Sequence, residues 1–172
     1  MDDQQSQYAP DTTTHLIELL QTNLAYKFNT YFEATPLTPP PAPDFPVCIV
    51  QKMTGQAVIG PTQTDEVHET YQLTFILNIA DDVGSANIRT TTMRHLQNII
   101  EGQDPVNTNE FKQGTVYYVL RTFLTMGTWI INSDVTTKYD IIPKPGEPTL
   151  CVADVNMQLW RRVFVQRPLN IG

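Results

Sequence analysis

From Val67 to Ile79 the odd positions Val67, Tyr71, Leu73, Phe75, Leu77 and Ile79 are apolar, broken only by Glu69, while His68, Thr70, Gln72, Thr74 and Asn78 alternate with them. Side chains of a strand point alternately to its two faces, so this pattern predicts a long antiparallel strand with one buried face. Leu150 to Val165 repeats it, with Cys151, Ala153, Val155, Met157, Leu159, Val163 and Val165 on one face and Arg161 as the interruption. A different period governs Leu16, Leu19, Leu20, Leu24, Phe28, Tyr31 and Phe32, which fall on one stripe of a helix capped by Asp11 or Thr12. Its other face carries Glu18, Gln21, Asn23, Lys27 and Glu33, so this helix is expected to lie on a sheet with one side in water. A second helical stripe runs through Ile88, Thr92, Leu96, Ile99 and Ile100, opened by Asp81, Asp82, Gly84 and Ser85 and stopped by Gly102.

Between these elements, Pro36, Pro39, Pro40, Pro41, Pro43 and Pro46 preclude regular helix or ladder and predict a stiff, extended connector from helix to sheet. A strand is expected at Val47 to Met53, then a turn over Thr54 to Pro61 at Gly55, Gly60 and Pro61. Further strands are expected at Thr115 to Met126, Trp129 to Asn132 and Thr136 to Ile142. Pro143, Pro145, Gly146 and Pro148 make a rigid turn, and Gln103 to Gly114 a long polar loop. The expected fold is α+β: a central, mostly antiparallel sheet with two main helices packed on one face. One domain spans 12–172, after a disordered lead-in over 1–11.

The length of 172 residues suits one domain with a genuine core. Apolar residues make up 41% of the chain and charged residues only 17%, so much of the polar surface is Gln, Asn and Thr, a surface suited to being covered by partner subunits. The net charge of −7 opposes tight attachment to nucleic acid or to an anionic membrane. No stretch approaches the roughly 20 apolar residues that span a bilayer, and the acidic, Gln-rich start has no apolar signal core, so an intracellular protein is expected. Cys48 and Cys151 lie in apolar, extended runs, where buried free thiols are the expectation.

Catalytic chemistry finds no constellation to carry it. His15, His68 and His95 stand on separate elements and read as solvent-face residues, not metal ligands. Ser6, Ser85 and Ser133 lie in no Gly-flanked elbow, and the isolated glycines make no phosphate cradle. Asp81 and Asp82 are explained by the favourable field at a helix start. No catalytic, cofactor or metal site is expected. The candidate functional residues are those of a subunit interface. Trp160 falls on the polar face of the last strand with Asp154, Asn156, Gln158 and Arg162, a face expected to be covered by another subunit. Arg161 interrupts the apolar face and needs a carboxylate, supplied by a neighbouring subunit or avoided by local snorkelling. Asp104, Glu110 and Lys112 in the polar loop complete the set.

The order of elements resembles the tail terminator family of tailed phages, also called tail completion or minor tail proteins. The resemblance rests on the helix ending in Phe28 and Phe32, the proline-containing crossing into a strand, and the strand ETYQLTFILNI leading by a short turn into the helix containing RTTTMRHLQNII. It covers most of the chain after residue 12. It departs from the family pattern at Gln103 to Gly114 and near Pro145. The resemblance implies a non-enzymatic virion protein, without cofactor, that forms a ring, commonly sixfold, on the head-proximal end of the tail tube. Such a ring stops tail elongation and joins the head connector. Its implied partners are further copies of itself, the tail tube protein, the connector, the sheath where the tail is contractile, and genomic DNA passing through the lumen without specific binding. The alternatives are another neck, head-to-tail or baseplate adaptor, or a small-molecule binding module.

Overall fold

The computed structural model describes residues 12–59, 64–79, 86–102, 106–107, 109–123, 130–143 and 149–164. They build helix α1 (Thr12–Asn23), strands β1 (Thr30–Phe32), β2 (Val47–Ile59) and β3 (Thr64–Asn78), helices α2 (Ala86–Glu101) and α3 (Val116–Thr122), and strands β4 (Ile130–Ile142) and β5 (Leu150–Phe164). The strands form one five-stranded sheet in the order β1-β2-β3-β5-β4. Only β1 and β2 run parallel; the other three pairings are antiparallel. The fold is α+β, with a third helix beside the two expected.

Register explains the alternation. Cys48, Phe75, Ala153 and Tyr139 share one row across β2, β3, β5 and β4, and Val50, Leu73, Val155 and Thr137 share the next row on that face. Onto this face pack Leu16, Leu20 and Leu24 of the α1 segment, Leu96, Ile99 and Ile100 of α2, and Val116, Val119 and Leu120 of α3. Each of the larger side chains sealed here contributes about 1.5–3 kcal/mol through apolar burial. Cys48 and Cys151 are free thiols within that core.

The opposite face is treated differently at its two ends. After β1 the proline-rich segment leaves the sheet edge, Thr35 Oγ1 meeting Gln51 Oε1 at 2.8 Å. It forms a short 3-10 turn at Ala42–Asp44. Pro36, Leu37 and Phe45 then wall a cleft of about 670 Å³ with Ile49, Ile76 and Leu150. The stiff connector thus lies over one end of the second sheet face, where Val47 and Ile49 are buried. Nothing comparable among the described residues covers the far end, where every residue from Lys52 to Ile59 is exposed.

Several boundaries differ from expectation. The first helix ends at Asn23, whose side-chain amide donates to the Leu19 carbonyl at 2.9 Å, the local competition that makes Asn a poor interior helix residue. Phe28 is still buried, edge to face with Tyr26 at 5.1 Å, but Thr30–Phe32 form β1 instead of a fifth helical turn. Thr115 to Phe123 is not a strand, and Leu124 to Met126 lie outside the described residues. Val116–Thr122 is helical, started by Thr115, whose hydroxyl accepts from the Tyr118 amide at 3.4 Å. Gly114 makes the preceding corner with φ +81°, where a Cβ would stand 2.7 Å from that of Ala25. The turn expected from Thr54 is a continuation of β2 through Gly55 to Ile59, with a bulge between Lys52 and Thr54; Gly60 and Pro61 lie outside the described residues. The two short strands expected at Trp129 to Asn132 and Thr136 to Ile142 are one, β4, irregular between Ile130 and Asn132. The expected turns around Asp81 to Ser85 and Pro145 to Pro148 lie outside the described residues.

Candidate functional site

The two interruptions of the alternating pattern answer one another. Glu69 on β3 and Arg161 on β5 point to the same face, and the guanidinium holds the carboxylate through Nε to Oε2 and Nη2 to Oε1, each at 3.1 Å. Lys52 on β2 donates to Oε1 at 2.7 Å, and Tyr71 donates its hydroxyl to Oε2 at 3.2 Å. Four donors on three adjacent strands thus converge on one carboxylate whose side chain is 1% exposed. Burial alone would push Glu69 up; the hydrogen bonds and charges of Arg161 and Lys52 outweigh it and hold the carboxyl below the usual carboxylate range. Lys52 and Arg161 keep side-chain exposures of 44% and 33%, so each spans from core to solvent along its aliphatic stem. The cluster closes the end of the apolar core and pins β2, β3 and β5 in register.

On the other face, beyond the reach of the proline-rich segment, register lays out rows of polar residues that are uncharged but for Asp134. Gln51, Gln72, Asn156 and Thr136 form one row; Thr54, Thr70, Gln158 and Asp134 form the next. Gln56, His68 and Trp160 follow. The Trp160 ring is half-buried against His68, with centroids 5.5 Å apart, and the Glu66 carboxylate stands 3.1 Å from His68 Nε2. Thr74 donates to Asp154 at 2.7 Å further along the face. Arg162 is exposed one row past Trp160, opposite Glu66.

The structure therefore brings Trp160 and Arg162 to one open face and sends Arg161 to the other. Arg161 finds its carboxylate within its own chain, so the expected need for a neighbouring subunit's carboxylate is already met by Glu69. Glu110 and Lys112 are exposed on the connection between α2 and α3, where the Lys112 amide donates to the Gly102 carbonyl at 2.7 Å. That connection belongs to the helical side of the sheet, so they do not form one patch with Trp160. Asp104 lies outside the described residues. Sequence reasoning missed Lys52, Glu69 and Tyr71 as a set; the signal was the lone Glu69 in an otherwise apolar series. Burial pushes the thiols of Cys48 and Cys151 up, which leaves them poor nucleophiles.

No family model matches the chain, and no curated protein matches it in sequence.

Proposed function

We propose that this protein is a structural subunit of a phage tail, forming a ring at the head-proximal end of the tail tube that ends elongation and presents the joint to the head connector. The observation that carries the reading is the two-sided sheet. One face is sealed by α1, α2 and α3; the other offers Gln, Asn and Thr around Trp160 and has no cover over its far half among the described residues. Broad polar surfaces of low charge with an aromatic anchor suit subunit contact, because little charge has to be desolvated. The same lack of clustered Lys and Arg suits a passage through which DNA moves without sticking. The resemblance in element order, helix, proline-rich crossing, long alternating strand, helix and closing strands, supplies the tail terminator assignment.

The test is removal of this chain from the phage that encodes it, followed by electron microscopy of the particles. Tails of uncontrolled length, detached from filled heads, are the expected result. Tails of normal length joined to heads would overturn the reading.

A further inference from the structure

We infer that neighbouring copies of this chain join edge to edge, the outer side of β4 in one copy pairing antiparallel with the exposed Lys52–Ile59 stretch of β2 in the next. This rests on the reading of the chain as a ring subunit and names how the ring is held.

The two outer strands are complementary in direction. β2 is antiparallel to β3, β3 to β5 and β5 to β4, so β2 and β4 run opposite ways at the two ends of one sheet. A second copy set alongside with its helices on the same side therefore brings β4 against β2 in the antiparallel sense, the better hydrogen-bonded arrangement. Availability matches direction. β1 covers the outer side of β2 only from Val47 to Ile49, and among the described residues no strand pairs with β2 beyond that point or with the outer side of β4.

The side chains continue across such a joint. Along β4, Val135, Thr137, Tyr139 and Ile141 are half-buried on the helical face, while Asp134, Thr136, Lys138 and Asp140 are exposed. Beyond Lys52, register places Gly55, Ala57 and Ile59 on the helical face of β2 and Thr54, Gln56 and Val58 on the other. Joining them sets apolar Ala57 and Ile59 beside half-buried β4 side chains, and polar Thr54 and Gln56 beside the exposed row. From Thr54 to Ile59 β2 carries no charge, whereas β4 carries two carboxylates and one ammonium, so no like charges meet at the joint.

Outer strands are usually blunted by proline, by inward charges or by a covering segment. From Thr54 to Ile59 there is neither proline nor charge, and Ile59 is 82% exposed. At β4 the Arg121 guanidinium takes the Ser133 carbonyl at 2.6 Å, shielding one end and leaving the remainder of the strand for a partner. A twofold pairing of identical edges would use one edge and strand the other. The β4-to-β2 joint satisfies both in every copy and repeats head to tail, as ring closure requires.

The experiment is a charge swap read by native mass measurement and sedimentation velocity. Thr54→Glu with Gln56→Glu puts carboxylates on the face of β2 that meets the face of β4 carrying Asp134 and Asp140; Asp134→Lys with Asp140→Lys reverses the sign of that face of β4. The wild-type chain is expected to self-associate at high concentration. The Thr54→Glu, Gln56→Glu variant alone is expected to dissociate at least about tenfold more readily, since carboxylates then meet carboxylates across the joint. Mixing the two variants in equal amounts restores its association, because the acidic β2 edge of one then meets the basic β4 edge of the other, while the two unchanged edges meet as in the wild-type chain. The changed positions are exposed, and circular dichroism with thermal melting checks that each variant is folded; Gln56→Glu alone serves if the double change is not. Three results overturn the inference: a wild-type chain that stays monomeric at millimolar concentration, a folded Thr54→Glu, Gln56→Glu variant that associates like wild type, or a mixture in which that variant still fails to enter assemblies. Association that obeys the charge swap alongside normal tails after gene removal would keep this joint and discard the tail reading.

Discussion

Arg161 grips Glu69 through two contacts of 3.1 Å across the β3–β5 boundary, though the two residues stand 92 positions apart in the chain. Neither residue suits its sequence neighbourhood; together they turn two flaws in the apolar pattern into the closure of the core.

Replacing Glu69 alone tests that closure. Glu69→Gln leaves Arg161 and Lys52 without their shared carboxylate, and the expected loss is about 2–3 kcal/mol, below the ~3–5 kcal/mol of a fully buried broken pair because both cations reach water. Urea unfolding measures it. The double change Glu69→Leu with Arg161→Leu should recover most of the loss, as apolar replacement of a buried pair often does; a double variant as weak as the single one would show that the charges themselves are needed.

The same carboxylate sets an acid limit. Its folded-state pKa is lowered, so its contribution to stability is fully present above the unfolded carboxylate value of about 4.3 and is lost as pH falls through the folded value beneath that. Unfolding free energy measured from roughly pH 5 downward should fall less steeply in Glu69→Gln than in the wild-type chain. Identical slopes would remove Glu69 from the account of acid sensitivity.

At the corner before α3, Gly114→Ala should cost more than Thr115→Ala. The first forces a Cβ into a left-handed backbone and against Ala25, whereas the second loses a hydroxyl that donates to the Lys112 carbonyl at 2.8 Å and accepts the long cap bond of 3.4 Å, with the backbone left unstrained. An expected cost of about 2 kcal/mol or more for the glycine change, against about 1 kcal/mol or less for the cap, separates them by thermal melting. The reverse order would mean that the corner relaxes freely.

On the open face, Trp160→Ala with Arg162→Ala should yield a folded chain, its melting temperature lowered by no more than a few degrees. The same chain should fail to restore normal tails when supplied to the gene-deleted phage. Normal tail lengths in that complementation assay would take the face out of the assembly.

Much of this architecture was legible because β3 and β5 declare themselves by alternation over their whole length. The α2 stripe and its glycine stop were equally open to reading. What the local pattern could not supply was register. Glu69 and Arg161 each stood out as an oddity, yet nothing local says that β3 and β5 are neighbours or that the two positions lie on one diagonal. The misread of α3 has a different origin. Val116, Tyr117, Tyr118 and Val119 have strong strand preference, but Val116, Val119 and Leu120 also have helical spacing, and packing against α1 and α2 decides between the two. Thr30 to Phe32 shows the converse, since aromatic residues that continue a helical stripe also pair with β2 once Asn23 has ended the helix.

The two buried cysteines give the fold a built-in clock. Cys48 and Cys151 sit on β2 and β5, on either side of the central β3, and each is fully screened from solvent. A thiol reagent reaches them only when the sheet opens, so the rate of labelling in native buffer counts excursions of the core itself. Two reporters flanking one strand also distinguish fraying at a single side from opening of the whole sheet.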